Sequence, residues 1–150
     1  MPHVLPGYAE AVTALAPVLA DLPAKLVGID GRDGTGKTTL GRYLAWHFNV
    51  TLVESDSFLL PDRRDLQRRS EEIARIINFR LAIPRPVIVE GVGLLSLLRE
   101  LKLRPSFLIY VRAVDHSTGQ TMERILQDYE AEFHPMKQAD LVLQLNHGDS

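Results

Sequence analysis

Gly31-Arg32-Asp33-Gly34-Thr35-Gly36-Lys37-Thr38 matches G-x-x-x-x-G-K-[ST] at every fixed position. The glycines let the backbone curl until successive N–H groups point inward at an anion. Lys37 supplies a point charge for the β- and γ-phosphates of a nucleotide, and the Thr38 hydroxyl suits a hard divalent cation. A helix that begins here adds the positive end of its dipole at the same place.

The flanks have the form this loop requires. Leu26-Val27-Gly28-Ile29 reads as a short buried strand, and Leu40, Tyr43, Leu44 and His47 recur at helical spacing after the loop. Strand, glycine loop and helix together make a phosphate-binding P-loop. A dinucleotide-binding turn is excluded, because Thr39 stands where that motif needs its third glycine. The nucleotide-binding set is therefore Gly31, Arg32, Asp33, Gly34, Thr35, Gly36, Lys37, Thr38 and Thr39. An acid at Asp33 would repel phosphates, and Arg32 beside it offers a charge to offset that. Lys37 is expected near solvent.

Strands and helices alternate along the rest of the chain. The spacing predicts an amphipathic helix over Pro6–Leu22, bent or restarted at Pro17. Strands are expected at Leu26–Asp30, Val50–Glu54, Pro86–Glu90, Phe107–Val111 and Leu141–Leu143. Helices are expected at Lys37–Phe48, Asp65–Leu81, Leu94–Leu101 and Thr118–Phe133. Buried, β-branched strand runs between helices mean an all-parallel sheet covered on both faces. The expectation is an α/β, three-layer P-loop NTPase fold with a five-stranded parallel sheet, as one domain over residues 1–150.

Composition limits the function classes. Hydrophobic residues make up 45% of the 150, which marks a globular chain. Seventeen Lys+Arg against 19 Asp+Glu give a net charge of −2, which offers no electrostatic basis for nucleic acid or an anionic membrane as partner. With no cysteine there is no disulfide or thiolate metal site, and a reducing cytoplasm is the expected setting. The apolar stretch Ala11–Ala20 has no preceding Lys or Arg and is flanked by Glu10 and Asp21, so it is not read as an export signal. It is also too short to span a bilayer. The five His have no ligand spacing, so no zinc site is expected.

In parallel sheets of this kind ligands sit beyond the carboxyl ends of the strands. Gly31 follows the first strand, so that edge holds the phosphate site. The polar residues that leave the other strands there are Asp56, Glu90 and Arg112. Asp56 can accept the proton of a substrate hydroxyl or help hold a Mg²⁺ shell. Glu90 ends an apolar run before Gly91, where a carboxylate reaches Mg²⁺ through water. The candidate metal ligands are thus Thr38, Asp56 and Glu90. Arg112, and Arg124 on the last helix, are candidates for stabilising a transferring phosphoryl group, so the catalytic set is Lys37, Asp56, Arg112 and Arg124. Arg63, Arg64, Arg68 and Arg69 lie among Asp62, Asp65, Glu71 and Glu72 and read as a solvated mixed-charge helix face. Arg80 and Arg85 lie nearer the third strand, where they can reach an anionic acceptor.

The chain resembles P-loop kinases of the uridine kinase and phosphoribulokinase group. The resemblance rests on the P-loop with Thr38-Thr39, on Asp56-Ser57-Phe58, on Val87-Ile88-Val89-Glu90-Gly91, and on Ala139-Asp140-Leu141-Val142-Leu143 after Pro135. It implies transfer of the γ-phosphate of ATP to a hydroxyl of a small molecule, with Mg²⁺ required and Asp56 as base. The chain departs from the group in three respects. The stretch between Phe58 and Pro86 is short and lacks the group's substrate-binding insert. Gln127 stands where the group carries a lid arginine, which leaves Arg124 or Arg112 to serve. The Arg32–Lys37 stretch is also similar to the P-loop of thymidylate kinases, whose Asp-Arg-Tyr motif is absent. Two alternatives follow: a nucleoside monophosphate kinase, with Arg63, Arg64 and Arg80 for the acceptor phosphate, or a nucleotide-binding switch without small-molecule transfer.

Overall fold

The computed structural model of the chain describes residues 6–61, 66–113 and 120–145. Its centre is a five-stranded, all-parallel sheet. The strands are β1 (Leu26–Gly31), β2 (Thr51–Glu54), β3 (Val87–Gly91), β4 (Phe107–Val111) and β5 (Leu141–Leu143), in the order β2-β3-β1-β4-β5. The P-loop strand β1 is therefore the middle strand. Its register sets Ile29 beside Glu90 and Asp30 beside Gly91 on one side, and Asp30 beside Tyr110 on the other.

Alternation along the strands divides the core. Val27, Ile29, Ile88, Ile109 and Val111 point to one face, under α1 (Pro6–Leu15) and α2 (Lys37–Phe48), with Leu15, Leu40 and Leu44. Leu26, Val87, Val89 and Leu108 point to the other, under α3 (Ser70–Ala82) and α4 (Leu94–Glu100), with Ile73, Ile77, Leu94 and Leu98. A parallel sheet buried on both faces needs apolar residues at every strand position, and β1 and β3 are buried throughout. Each fully buried aliphatic side chain contributes about 1.5–3 kcal/mol.

All five expected strands and the four major helices after β1 form. The boundaries differ where local chemistry decides. Helix α1 stops at Leu15, ahead of Pro17, which has no N–H to donate; Leu19 N–H still donates to Leu15 O at 2.9 Å, and Asp21 and Leu22 then turn the chain with positive φ. Helix α3 begins at Ser70, not at Asp65; Asp62, Arg63, Arg64 and Asp65 lie outside the described residues. Ahead of α3, Leu59 and Arg68 form an antiparallel bridge, with Leu60 N–H donating to Gln67 O (2.9 Å) and Arg69 N–H to Phe58 O (2.8 Å). This ribbon lies at the carboxyl edge of the sheet and buries Arg68, so Arg68 is not on a solvated helix face. Helix α5 runs Gln120–Phe133, the expected start at Thr118 lying outside the described residues, and a short α6 (Pro135–Gln138) follows.

Candidate functional site

The loop between β1 and α2 has the backbone its glycines predict. Gly36, which caps α2, sits at φ 93°, a conformation that L side chains rarely adopt. Inside the loop the Arg32 carbonyl accepts from Lys37 Nζ at 3.2 Å and from Thr35 Oγ1 at 2.9 Å. Lys37 is only 4% exposed, so the expectation of a solvent-facing lysine is corrected. It starts α2 beneath the loop, and its charge acts on two buried acids, Asp30 and Glu90.

Glu90 ends β3 against the first turn of α2. Its Oε2 accepts from Thr38 Oγ1 at 3.0 Å, and its Oε1 is buried with no hydrogen-bond partner among the described residues. Burial pushes the Glu90 carboxyl above its ordinary value; Lys37 and the Thr38 hydrogen bond oppose that, while Asp56 and Glu54 add to it. A buried carboxylate oxygen without a donor, beside a hydroxyl, is a donor set that suits a hard divalent cation. Among the described residues no cage of three or more His, Asp or Glu side chains occurs. A cation that keeps several waters and binds mainly through substrate phosphates needs none.

Asp56 lies on a 3-10 turn, Ser55–Phe58, directly after β2. Its side chain makes no hydrogen bond within that turn among the described residues. Instead Oδ1 reaches the β3–α4 connection and the ribbon, accepting from Val92 N–H at 3.2 Å and from Arg68 Nη2 at 2.7 Å. Ser55 Oγ donates to the Glu90 carbonyl at 2.7 Å. This close approach needs Gly91: a Cβ there would lie 1.9 Å from Ser55 Oγ. Beside the cluster is a cavity of about 530 Å³ lined by Asp33, Asp56, Leu59, Pro61, Leu66, Val92 and Met122. A larger cavity, about 730 Å³, opens near Pro105 and Ser106 at the start of β4, by the opposite edge of the sheet.

The other expected site residues fall less centrally. The Arg32 side chain turns to α5, meeting Glu123 Oε1 at 2.7 Å and Glu130 Oε2 at 2.8 Å. Its charge is matched there by two acids; Glu130, then Glu123, hold the guanidinium above its ordinary value. Thr39 is exposed on α2. Arg112 and Arg124 are exposed and make no ion pair among the described residues, and the Arg112 N–H donates to Leu143 O at 2.7 Å. The structure thus brings together Lys37, Thr38, Glu90 and Asp56, and Arg112 leaves β4 directly after Val111, the register partner of Gly31.

Sequence reasoning missed Asp30, Tyr129 and Arg68. Asp30 is 1% exposed at the end of β1. Its Oδ1 accepts from Gly31 N–H (2.8 Å) and Leu94 N–H (3.3 Å), and its Oδ2 from the Tyr129 hydroxyl (2.5 Å). Burial pushes the Asp30 carboxyl up to about 6 against those hydrogen bonds and the Lys37 charge. Asp30-Gly31 repeats the acid–glycine ending of Glu90-Gly91, a signal that was present in the sequence. Tyr129 in turn accepts from Leu95 N–H at 2.8 Å, tying α5 to α4 and to the loop.

Among the described residues no helix is long and apolar enough to cross a membrane. No family model matches the chain, and no curated protein matches it. Solved structures do. A structure described as a possible uridine kinase from Bacillus stearothermophilus is 17% identical, with 91% of this chain and 98% of that chain covered and a TM-score of 0.64. Shikimate kinase from Acinetobacter baumannii, in complex with shikimate, is 18% identical, with 89% of each chain covered and a TM-score of 0.52. The fold is that of the P-loop kinases.

Proposed function

We propose that this chain, as a single P-loop kinase-like domain, is an ATP-dependent phosphotransferase that moves the γ-phosphate to a hydroxyl of a small molecule. The observation that carries the reading is the pair Thr38–Glu90 beneath the phosphate loop, with a buried carboxylate oxygen lacking a donor among the described residues, and Asp56 lining the cavity beside it. Loop N–H groups and Lys37 hold the phosphates; to do so Lys37 Nζ exchanges the Arg32 carbonyl for a phosphate oxygen. Thr38, Glu90 and the Asp56 side would hold Mg²⁺, which when bound neutralises charge on the β- and γ-oxygens. Asp56 Oδ2 takes the proton of the acceptor hydroxyl as the new O–P bond forms and ADP leaves. Arg112 and Arg124, both exposed, are cations that could close over the transferring group. The setting proposed is the cytoplasm, where ATP and Mg²⁺ are supplied. The uridine kinase-like motifs put nucleosides first among acceptors, followed by other polyols.

The test is ADP release in the presence of ATP and Mg²⁺, with and without each member of a panel of nucleosides, polyols and nucleoside monophosphates. Stimulation by a hydroxyl compound supports the reading, and stimulation by monophosphates alone makes the chain a nucleoside monophosphate kinase. ATP binding without stimulation by any acceptor makes it a nucleotide-binding module.

A further inference from the structure

We infer that Arg68 is a positioning residue that sets the working orientation of Asp56; the inference rests on the phosphotransferase reading above. The Arg68 side chain is 3% exposed. Its Nε donates to the Ser55 carbonyl at 3.2 Å and its Nη1 to the Leu66 carbonyl at 3.3 Å. Its Nη2 donates both to Asp56 Oδ1 at 2.7 Å and to the Val92 carbonyl. Four of the five N–H groups that a guanidinium carries are thereby spent on the protein. A guanidinium used in this way does not recognise an acceptor anion; it joins three segments at the carboxyl edge of the sheet. They are the 3-10 turn, the ribbon before α3 and the β3–α4 connection.

Asp56 gains a fixed pose from this. Oδ1 is held from two directions, by Arg68 and by Val92 N–H, so the carboxylate cannot rotate about its Cβ–Cγ bond without losing both. Oδ2 makes no hydrogen bond among the described residues, and the side chain lines the 530 Å³ cavity beside the P-loop. One oxygen anchors and the other works. Gly91 leaves room for this: a Cβ there would stand 3.1 Å from Asp56 Oδ1 and 3.3 Å from Arg68 Nη2. Lysine has the charge but not the planar fork, so it cannot hold Asp56, Ser55, Leu66 and Val92 together.

A double-mutant cycle tests this on the full chain, with kcat and the KM for ATP measured using an acceptor that stimulates ADP release. Arg68→Gln should lower kcat about 10- to 100-fold, in line with a misplaced reacting group, with the KM for ATP within about threefold. Asp56→Asn lowers kcat by itself. The double variant should be no slower than Asp56→Asn, because Arg68 acts only through Asp56. A purely structural Arg68 would give losses that multiply. Multiplying losses, or parental kcat in Arg68→Gln, would overturn the inference while leaving the phosphotransferase reading intact. A parent that binds ATP yet is stimulated by no acceptor overturns both. Retention of the ATP-induced rise in melting temperature marks each variant as folded. If Arg68→Gln does not fold, Arg68→Lys, which keeps charge and bulk, decides on the same criteria.

Discussion

The hydroxyl of Thr38 donates to Glu90 Oε2 at 3.0 Å, joining the first turn of α2 to the end of β3 across 52 positions of chain. The contact exists because β3 is the neighbour of β1 in the sheet, so its carboxyl end finishes beside the loop that leaves β1. Glu90 is thus held in place by the element that it would serve, with its second oxygen in reserve.

Replacing Glu90 by Gln separates the fold from the cation. Burial holds the Glu90 carboxyl above its ordinary value, so its ionised form costs the ligand-free fold stability. Glu90→Gln keeps the shape and removes the charge. Its ligand-free melting temperature at neutral pH should equal or exceed the parent's. Mg²⁺ affinity in the presence of ATP should fall about 10- to 100-fold, the usual scale for losing a supporting ligand. Differential scanning fluorimetry with ATP, across a Mg²⁺ titration, reads both. A variant that needs no more Mg²⁺ than the parent would remove Glu90 from the metal site.

Lys37→Ala should be costly twice. ATP·Mg²⁺ at 100 times its Kd stabilises the parent by about 2.7 kcal/mol, and the variant should show almost none of this. The ligand-free variant should also melt lower than the parent. Lys37 is buried, donates to the Arg32 carbonyl and eases the charges of Asp30 and Glu90. Loss of such a group costs about 1–3 kcal/mol. In a domain of this size that is a fall of several degrees, at about 2–4 °C per kcal/mol. Unchanged ligand-free melting would show that the buried lysine is stabilised elsewhere.

Asp56→Asn should leave nucleotide affinity within about tenfold, a difference of ~1.4 kcal/mol. Acceptor-stimulated turnover should fall 10²–10⁴-fold, the usual scale for losing a general base. Isothermal titration with ATP beside a coupled ADP assay makes the comparison. Parental turnover in the variant would leave Asp56 as only a clasp between Val92 and Arg68.

The pH dependence of stability should carry the signature of Asp30. Its carboxyl has an ordinary value of 3.8 and stands at about 6 in the fold. Between those values the folded chain binds more protons than the unfolded chain, so this contribution to stability is complete below about pH 4 and fades as pH rises through about 6. A rise of that size corresponds to about 3 kcal/mol. Asp30→Asn does not titrate at this position and should show a shallower decline, the raised Glu90 carboxyl supplying the rest. Urea unfolding from pH 4 to 7 compares the two, and parallel curves would count against a raised Asp30.

Much of this was legible in the chain because local physics sets it. Short β-branched runs such as Val87-Ile88-Val89, set between helices, suit strands of a doubly covered sheet, and the helix after Gly36 starts where its glycine allows. Glu90 was legible by its place at a strand end. Arg68 was not, because its neighbours Arg69, Glu71 and Glu72 make the run look solvated, while its burial depends on a ribbon that no periodicity announces. Contacts of α5 with the loop span more than ninety positions, Arg32 to Glu123 and Glu130, Asp30 to Tyr129, and only the assembled sheet order brings them together. The buried state of Lys37 has the same origin: the acids around it come from β1 and β3.

The attachment of α5 to the phosphate loop has an evolutionary consequence. Position 32 is among the variable letters of the motif, yet in this chain its side chain is committed to Glu123 and Glu130. A descendant that drifts to a neutral or acidic residue at 32 must change the acids of the helix as well, and one that loses Tyr129 must change Asp30. Such coupling predicts that homologues show positions 32, 123 and 130, and separately 30 and 129, exchanging together.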